Sequence, residues 1–248
     1  MDERLVREGL ATSRTRAQAL IRAGRVLVDD APVEKPGTRV ADAAAVRVRG
    51  EARRFVSRGG EKLAGALDDL GLDPRGASCL DLGASTGGFT DCWLQRGAAR
   101  VVAVDVGYGQ LDWRLREDPR VTVVERTNAR FLRPEQAPGP FDWVSVDVSF
   151  ISATKLLPRL PEVAPGASLL VLVKPQFEVG AARVGKGGVV RDDALRREAV
   201  DAVAAAAAAL GYAERGRVES RLPGPRGNRE VVLWLEPAGR PEAANPSG

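Results

Sequence analysis

Of the 37 basic residues in this 248-residue chain only five are lysine: Lys35, Lys62, Lys155, Lys174 and Lys186. Arginine serves wherever a generic positive charge is enough, so a remaining lysine is a candidate for chemistry arginine cannot do, such as losing its proton or fitting as a compact ammonium. Lys174 stands out because it follows directly on Ser168–Val173, the most hydrophobic strand pattern in the chain, where a side chain has no easy route to solvent. Asp147 closes another strand pattern, Phe141–Asp147. Carboxyl ends of parallel strands are where α/β proteins place reactive groups, which favours Asp147 over Asp142 at the strand's other end. Lys62 falls in the first turn of a helix, where the dipole disfavours a cation, and Glu230 opens the last strand. These four residues lie on four elements, three at sheet ends where side chains can converge. With no histidine in the chain, Ser-His-Asp and Cys-His catalysis and His-ligated metals are excluded, no metal is expected, and Lys174 is the best candidate for a general base.

The element that must serve such a cluster is Leu80-Asp81-Leu82-Gly83-Ala84-Ser85-Thr86-Gly87-Gly88-Phe89-Thr90. It reads as a short buried strand from Cys79 to Leu82, a glycine-rich turn, then a helix from Gly88 to Gln95, the arrangement that grips a nucleotide-like cofactor. Gly83, Gly87 and Gly88 permit a close backbone approach that a Cβ would exclude. There is no G-x-G-x-x-G, and no Lys-Ser/Thr pair follows the glycines as a P-loop requires. The next strand, Arg100–Asp105, ends in a carboxylate 22 residues after Gly83, suited to accept hydrogen bonds from ribose hydroxyls.

Net charge +4 and a sequence pI of about 9.4 favour a polyanionic partner. Cys79 and Cys92 read as reduced structural thiols of a cytoplasmic protein. Met1-Asp2-Glu3-Arg4 shows no signal peptide or longer basic leader, and no apolar run approaches the ~18 residues that span a bilayer, so no membrane insertion is expected.

Residues 1–49 read as a small α+β module: a first helix ended by Gly9, a second over Arg14–Ala23 with Ser13 as N-cap and Gly24 as terminator, then short strands around Val26–Val28 and Val46–Val48. Arg14, Arg16 and Arg22 on the second helix, with Arg25 just beyond, suit phosphate contacts. Residues 50–57 read as a linker and 58–236 as the large domain, beginning with a helix that carries Leu63, Leu67 and Leu70. A third strand, Val121–Val124, runs into a loop bearing Arg126, Asn128, Arg130 and Arg133. Gly180–Val190 reads as a flexible substrate lid with Lys186 at its tip, Arg191–Leu210 as a long helix, and 237–248 as a disordered tail by composition.

Residues 5–40, from L-V-R-E-G-L-A-T-S-R-T-R-A-Q-A-L-I-R-A-G-R to V-L-V-D-D-A-P-V-E-K-P-G-T-R-V, resemble the RNA-binding domain first described in ribosomal protein S-four, with Asp30 where that family's hairpin usually has glycine. The motifs D-L-G-A-S-T-G-G-F-T and V-V-A-V-D-V-G resemble the S-adenosylmethionine site of class I methyltransferases. V-S-R-G-G-E-K-L, D-V-S-F-I-S, L-V-K-P-Q-F-E and G-N-R-E-V-V-L-W-L resemble the lysine-aspartate-lysine-glutamate tetrad of FtsJ-type RNA 2′-O-methyltransferases. With the N-terminal module the whole is similar to the TlyA family, also labelled haemolysin A.

The resemblance implies a class I (Rossmann-like) α/β sheet behind a small RNA-binding domain, and methyl transfer from S-adenosylmethionine to a cytidine 2′-hydroxyl of ribosomal RNA. It assigns catalysis to Lys62, Asp147, Lys174 and Glu230. To the cofactor it assigns Gly83, Ala84, Ser85, Gly87, Gly88, Phe89, Thr90, Asp105, Val106, Asn128 and Asp147. RNA contacts are expected from Arg4, Arg14, Arg16, Arg22, Arg25, Lys35, Arg126, Arg130, Phe150 and Lys186, with Phe150 placed to stack on a nucleotide turned out of its helix. The partner is then ribosomal RNA or a ribosomal subunit, met by a monomer. A free lysine titrates near ~10.4, so a basic Lys174 must be helped by burial, Lys62 and the cofactor's charge, against the pull of Asp147 and Glu230. A charged Lys174 that only orients the hydroxyl is the other possibility. Three rival functions are an RNA-binding assembly factor without catalysis, a membrane-active haemolysin and a small-molecule O-methyltransferase.

Overall fold

Runs of Val, Leu and Ala bounded by glycine turns dictate buried strands, and the computed structural model, which describes residues 1–41, 44–49 and 54–239, sorts them into two compact units, Met1–Arg53 and Arg54–Gly248. Residues 50–53 of the expected linker and 240–248 of the expected tail lie outside the described residues.

In the first unit, α1 (Asp2–Arg7) and α2 (Arg14–Arg22) pack on a three-stranded antiparallel sheet of β1 (Val26–Val28), β2 (Ala31–Pro32) and β3 (Val46–Val48) in the order β2-β1-β3. Ser13 caps α2, its Oγ accepting from the Arg16 amide at 3.1 Å. Leu5, Ala17, Leu20, Ile21 and Val26 form the core. Both Asp29 and Asp30 adopt left-handed backbone at the β1–β2 hairpin, φ 47° and 66°. Their carboxylates make that tolerable by accepting from the Ala45 amide and the Arg47 guanidinium, 2.9 and 2.7 Å.

The second unit opens on α3 (Arg58–Leu70), capped by Ser57 and ended by Gly71 in the left-handed region, φ 65°. Strands β4 (Ser78–Leu82), β5 (Arg100–Val104), β6 (Val121–Val124), β7 (Trp143–Val146), β8 (Ser168–Val173), β9 (Tyr212–Glu219) and β10 (Val231–Pro237) form one sheet in the order β6-β5-β4-β7-β8-β10-β9. The first five run parallel, and β10 lies antiparallel to both its neighbours. Helix α4 (Gly88–Gln95) follows β4; α5 (Trp113–Arg116), α6 (Leu160–Val163), α7 (Pro175–Glu178) and α8 (Asp193–Ala208) complete the layers.

Side chains alternate across the sheet as the pleat requires. Leu80, Val102, Val144, Leu169, Val171 and Leu233 face the layer that holds α6 and α8. Cys79, Val101, Ala103, Leu170 and Leu172 face α3 and α4, where Leu63, Leu67, Phe89 and Trp93 cover them. Phe55, within the expected linker, is buried against the first turn of α3, and the Val56 amide donates to Asp91 of α4 at 2.8 Å.

The chain leaves β4 toward β5 on one side while β7 and β8 extend the other, so the topological switch point lies between β4 and β7. Leu82 pairs with both Val104 and Val146. The next residues, Gly83, Asp105 and Asp147, therefore leave the sheet at one level.

Candidate active site

Register brings the distant residues together. Val231 of β10 pairs with Val173 of β8 in antiparallel sense, so Glu230 and Lys174 lie side by side at the same sheet edge. Lys174 sits 2.5 Å from Asp147 Oδ1 and donates to Ser149 Oγ at 3.0 Å. Lys62, the fifth residue of α3 rather than one of its first turn, donates to Glu230 Oε2. Glu230 is wholly buried, Lys62 and Lys174 nearly so. Two ammonium–carboxylate pairs thus stand where isolated charges would be too costly to desolvate. Glu230 Oε1 is buried without a hydrogen-bond partner, and a Cβ on Gly224 would collide with it, a constraint no local pattern in the sequence announces.

Two adjoining cavities open beside these pairs. One of about 260 Å³ is walled by the glycine turn, Ser57, Arg58, Lys62, Asp147 and Lys174. The other, about 480 Å³, runs from the turn past Asp105, Val106 and Asn128 to Phe150 and Ile151. They share Gly83, Ser85, Asp147 and Ser149. Asp105 is fixed by the amides of Ser85 and Gly107 at 2.8 and 2.7 Å while its carboxylate stays on the cavity wall. Ala84, Gly88 and Phe89 line the first cavity. Asn128 lines the second, its Oδ1 already accepting from the Arg130 amide at 3.0 Å, which leaves its NH2 to donate. Gln110, Thr127, Ser57 and Arg58 are wall residues that sequence reasoning passed over, because nothing in their spacing marks them.

The structure corrects several expectations. Thr90 does not reach a cavity; it is wholly buried and its hydroxyl donates to Asp81 at 2.7 Å. The glycines answer to the protein's own packing. A Cβ on Gly83, where φ is +88°, would stand 2.5 Å from the Asp147 carbonyl oxygen; one on Gly87 would strike Leu111 and Leu115; one on Gly88 would strike Ser57 and Gly60. Absent Cβ atoms let the turn press against the end of β7 and the start of α3. Arg4 is spent internally, donating to Glu8 and to the carbonyls of Ala41 and Ala44 at 2.6, 2.7 and 2.8 Å, so it braces the first unit instead of facing RNA. Arg14 is held by Asp2 and Glu3, and Arg25 donates to the Arg49 carbonyl. Arg16, Arg22 and Lys35 are exposed. The segment expected as a flexible lid is a short hairpin, bridged Gly185 to Val189 and clamped by buried Asn228, which donates to the Gly188 carbonyl and accepts from the Val190 amide at 2.9 and 3.0 Å. Lys186 is exposed at its tip. Arg126 and Arg130 are exposed, lying 4.3 Å over the Tyr108 ring and 5.4 Å from the Phe131 ring centre.

Behind the turn, Asp81 accepts from Thr90 and from Ser145 (2.9 Å), and Ser145 accepts from the Trp93 indole at 2.9 Å. Burial pushes the Asp81 carboxyl from 3.8 up to about 7, the two hydroxyls opposing. Between about pH 4 and 7 the unfolded chain gives up this proton while the folded chain keeps it. The protonated group's contribution to stability is therefore complete below that window and lost as pH rises through it. Asp81→Asn should flatten the dependence: the difference in unfolding free energy between pH 5 and pH 8 should shrink by about 1–3 kcal/mol in urea titrations. An unchanged difference would refute a protonated Asp81.

The sheet order, with its one strand antiparallel to both neighbours and its cleft at the switch point, is that of the class I methyltransferases. Residues 55–236 match the family of FtsJ-like methyltransferases and residues 2–46 the S4 domain. The chain is 54% identical to the 16S/23S rRNA (cytidine-2'-O)-methyltransferase TlyA of Mycobacterium tuberculosis over 95% of its own length and 88% of that protein's. It is 40% identical to Hemolysin A of Brachyspira hyodysenteriae, over 94% and 97% of the two chains. A solved structure named for a hemolysin, from Streptococcus thermophilus, superposes with a TM-score of 0.75 at 38% identity, covering 99% of this chain and 90% of the other. The chain belongs to the TlyA family.

Proposed function

We propose that the chain transfers a methyl group from S-adenosylmethionine to the ribose 2′-hydroxyl of a cytidine in ribosomal RNA, working as a monomer on ribosomal subunits in the cytoplasm. The observation that carries this reading is the pair of ammonium–carboxylate contacts, Lys174–Asp147 and Lys62–Glu230, at the mouth of a cleft built from the glycine turn and Asp105. The cleft suits the cofactor: Asp105 would accept from its ribose hydroxyls, Val106 and Asn128 would bound its adenine, and the backbone of Gly83 to Ser85 would follow its amino-acid end. When bound, S-adenosylmethionine supplies a methyl group made electrophilic by its sulfonium.

The remaining work falls to the protein's own residues. A ribose hydroxyl is a poor nucleophile, so alignment for in-line attack contributes much of the rate. Lys174, anchored by Asp147 and Ser149, would hold the 2′-oxygen and, after releasing its own proton to solvent, take the proton of the hydroxyl. Lys62, fixed by Glu230, would steady the negative charge that develops there. Arg16, Arg22 and Lys35 on the first unit, with Arg126, Arg130 and Lys186 on the second, would neutralise phosphates. Phe150, 92% exposed beside Asp147, would stack on the target base. A membrane-active reading finds no helix long and apolar enough to cross a bilayer among the described residues.

Calorimetric titration with S-adenosylmethionine tests the cofactor. The wild-type chain should bind one equivalent, and Asp105→Ala should weaken binding about 10- to 100-fold, the loss of hydrogen bonds to a charged acceptor. Absence of binding by the wild type would overturn the proposal.

A further inference from the structure

The loop that follows Asp147 combines features that do not persist unaided. Phe150 has left-handed backbone, φ 66°, which a bulky residue rarely adopts, and its ring is 92% exposed. Such a conformation is kept only where surrounding contacts over-determine it. Those contacts come from one short stretch beginning at Lys174. Lys174 donates to Ser149 Oγ at 3.0 Å. The Phe177 ring lies 5.5 Å from the Phe150 ring, tilted 50°. Glu178 closes the set: its Oε2 accepts from Ser152 Oγ at 2.5 Å and its Oε1 from the Ala153 amide at 2.9 Å. Ser152 in turn caps the helical turn Ala153–Lys155, its Oγ accepting from the Thr154 amide at 3.2 Å.

We infer that Glu178 is a positioning residue for the RNA substrate: by clamping Ser152 and Ala153 it holds the loop carrying Phe150 in the conformation that receives the nucleotide. The inference rests on the reaction proposed above. Glu178 lines neither cavity, so it acts through the loop and not on cofactor or substrate. Burial pushes its carboxyl up, against the two hydrogen bonds. A carboxylate half-withdrawn from water at that cost is held for what it grips. An aliphatic residue there would fill space equally well, but would leave the Ala153 amide and the Ser152 hydroxyl without their acceptor.

The test is steady-state methyl transfer by the full chain to ribosomal subunits from cells lacking this protein, with labelled S-adenosylmethionine, alongside calorimetric binding of the cofactor. Glu178→Ala should raise KM for the subunits about tenfold or more, change kcat less, and leave cofactor affinity within about twofold. Glu178→Gln, whose carbonyl can still accept from the Ala153 amide, should recover most of the loss. Should Glu178→Ala fail to fold, Ser152→Ala severs the same clamp from the loop side and should raise KM severalfold. An unmoved KM in a folded variant, or cofactor affinity falling in step with KM, would overturn the inference while the reaction itself stood. A wild-type chain that methylates neither subunit would bring down both.

Discussion

Lys174→Ala should lower methyl transfer by about 10²–10⁴-fold, the range for loss of a general base, while the variant stays folded and still binds S-adenosylmethionine. The argument is geometric. Lys174 follows the fully buried strand β8, its ammonium is anchored by Asp147 and Ser149, and the first cavity opens onto it. Lys174→Arg then separates two roles. Arginine keeps the charge but cannot serve as a base at any working pH. If proton removal is the lysine's task, the arginine variant should be nearly as slow as the alanine variant. Near-normal turnover would reduce Lys174 to an orienting cation.

A second large effect follows from the Lys62–Glu230 pair. Glu230 has no exposed surface, so Lys62→Met strands a carboxylate in the interior and should cost about 3–5 kcal/mol in urea unfolding. Replacing both, Lys62→Met with Glu230→Leu, removes both buried charges and should return stability to within about 1 kcal/mol of the wild type. The double variant should nonetheless transfer methyl groups no better than Lys62→Met. Recovered stability without recovered turnover would show that the pair is kept for reaction and not for folding. A double variant as unstable as the single one would refute the buried-pair account.

What the sequence disclosed is what local periodicity and caps encode. The strands Val121–Val124 and Ser168–Val173 and the helix Gly88–Gln95 have the bounds their residues suggest, because each is a hydrophobic run or an amphipathic turn closed by its own breakers. The sheet's class was legible from the glycine turn and the acidic ends of two strands. Pairings were not. That Lys62 meets Glu230, 168 residues away, depends on β10 entering the sheet antiparallel beside β8, and no local pattern states that register. Arg4 shows the converse error: the family resemblance placed it among the RNA contacts, whereas the carbonyls of Ala41 and Ala44, brought close only by folding, take its donors. The glycines were read for a close backbone approach to a ligand. In the structure Gly83, Gly87 and Gly88 are crowded by Asp147, Leu115 and Ser57, neighbours contributed by other elements.

The most direct measurement is mass-spectrometric mapping of ribose methylation in ribosomal RNA from cells with and without this protein. A 2′-O-methyl group on at least one cytidine should disappear when the protein is removed, return with the wild-type chain, and stay absent with Lys174→Ala. Identical ribose methylation in the presence and absence of the protein would contradict the assignment.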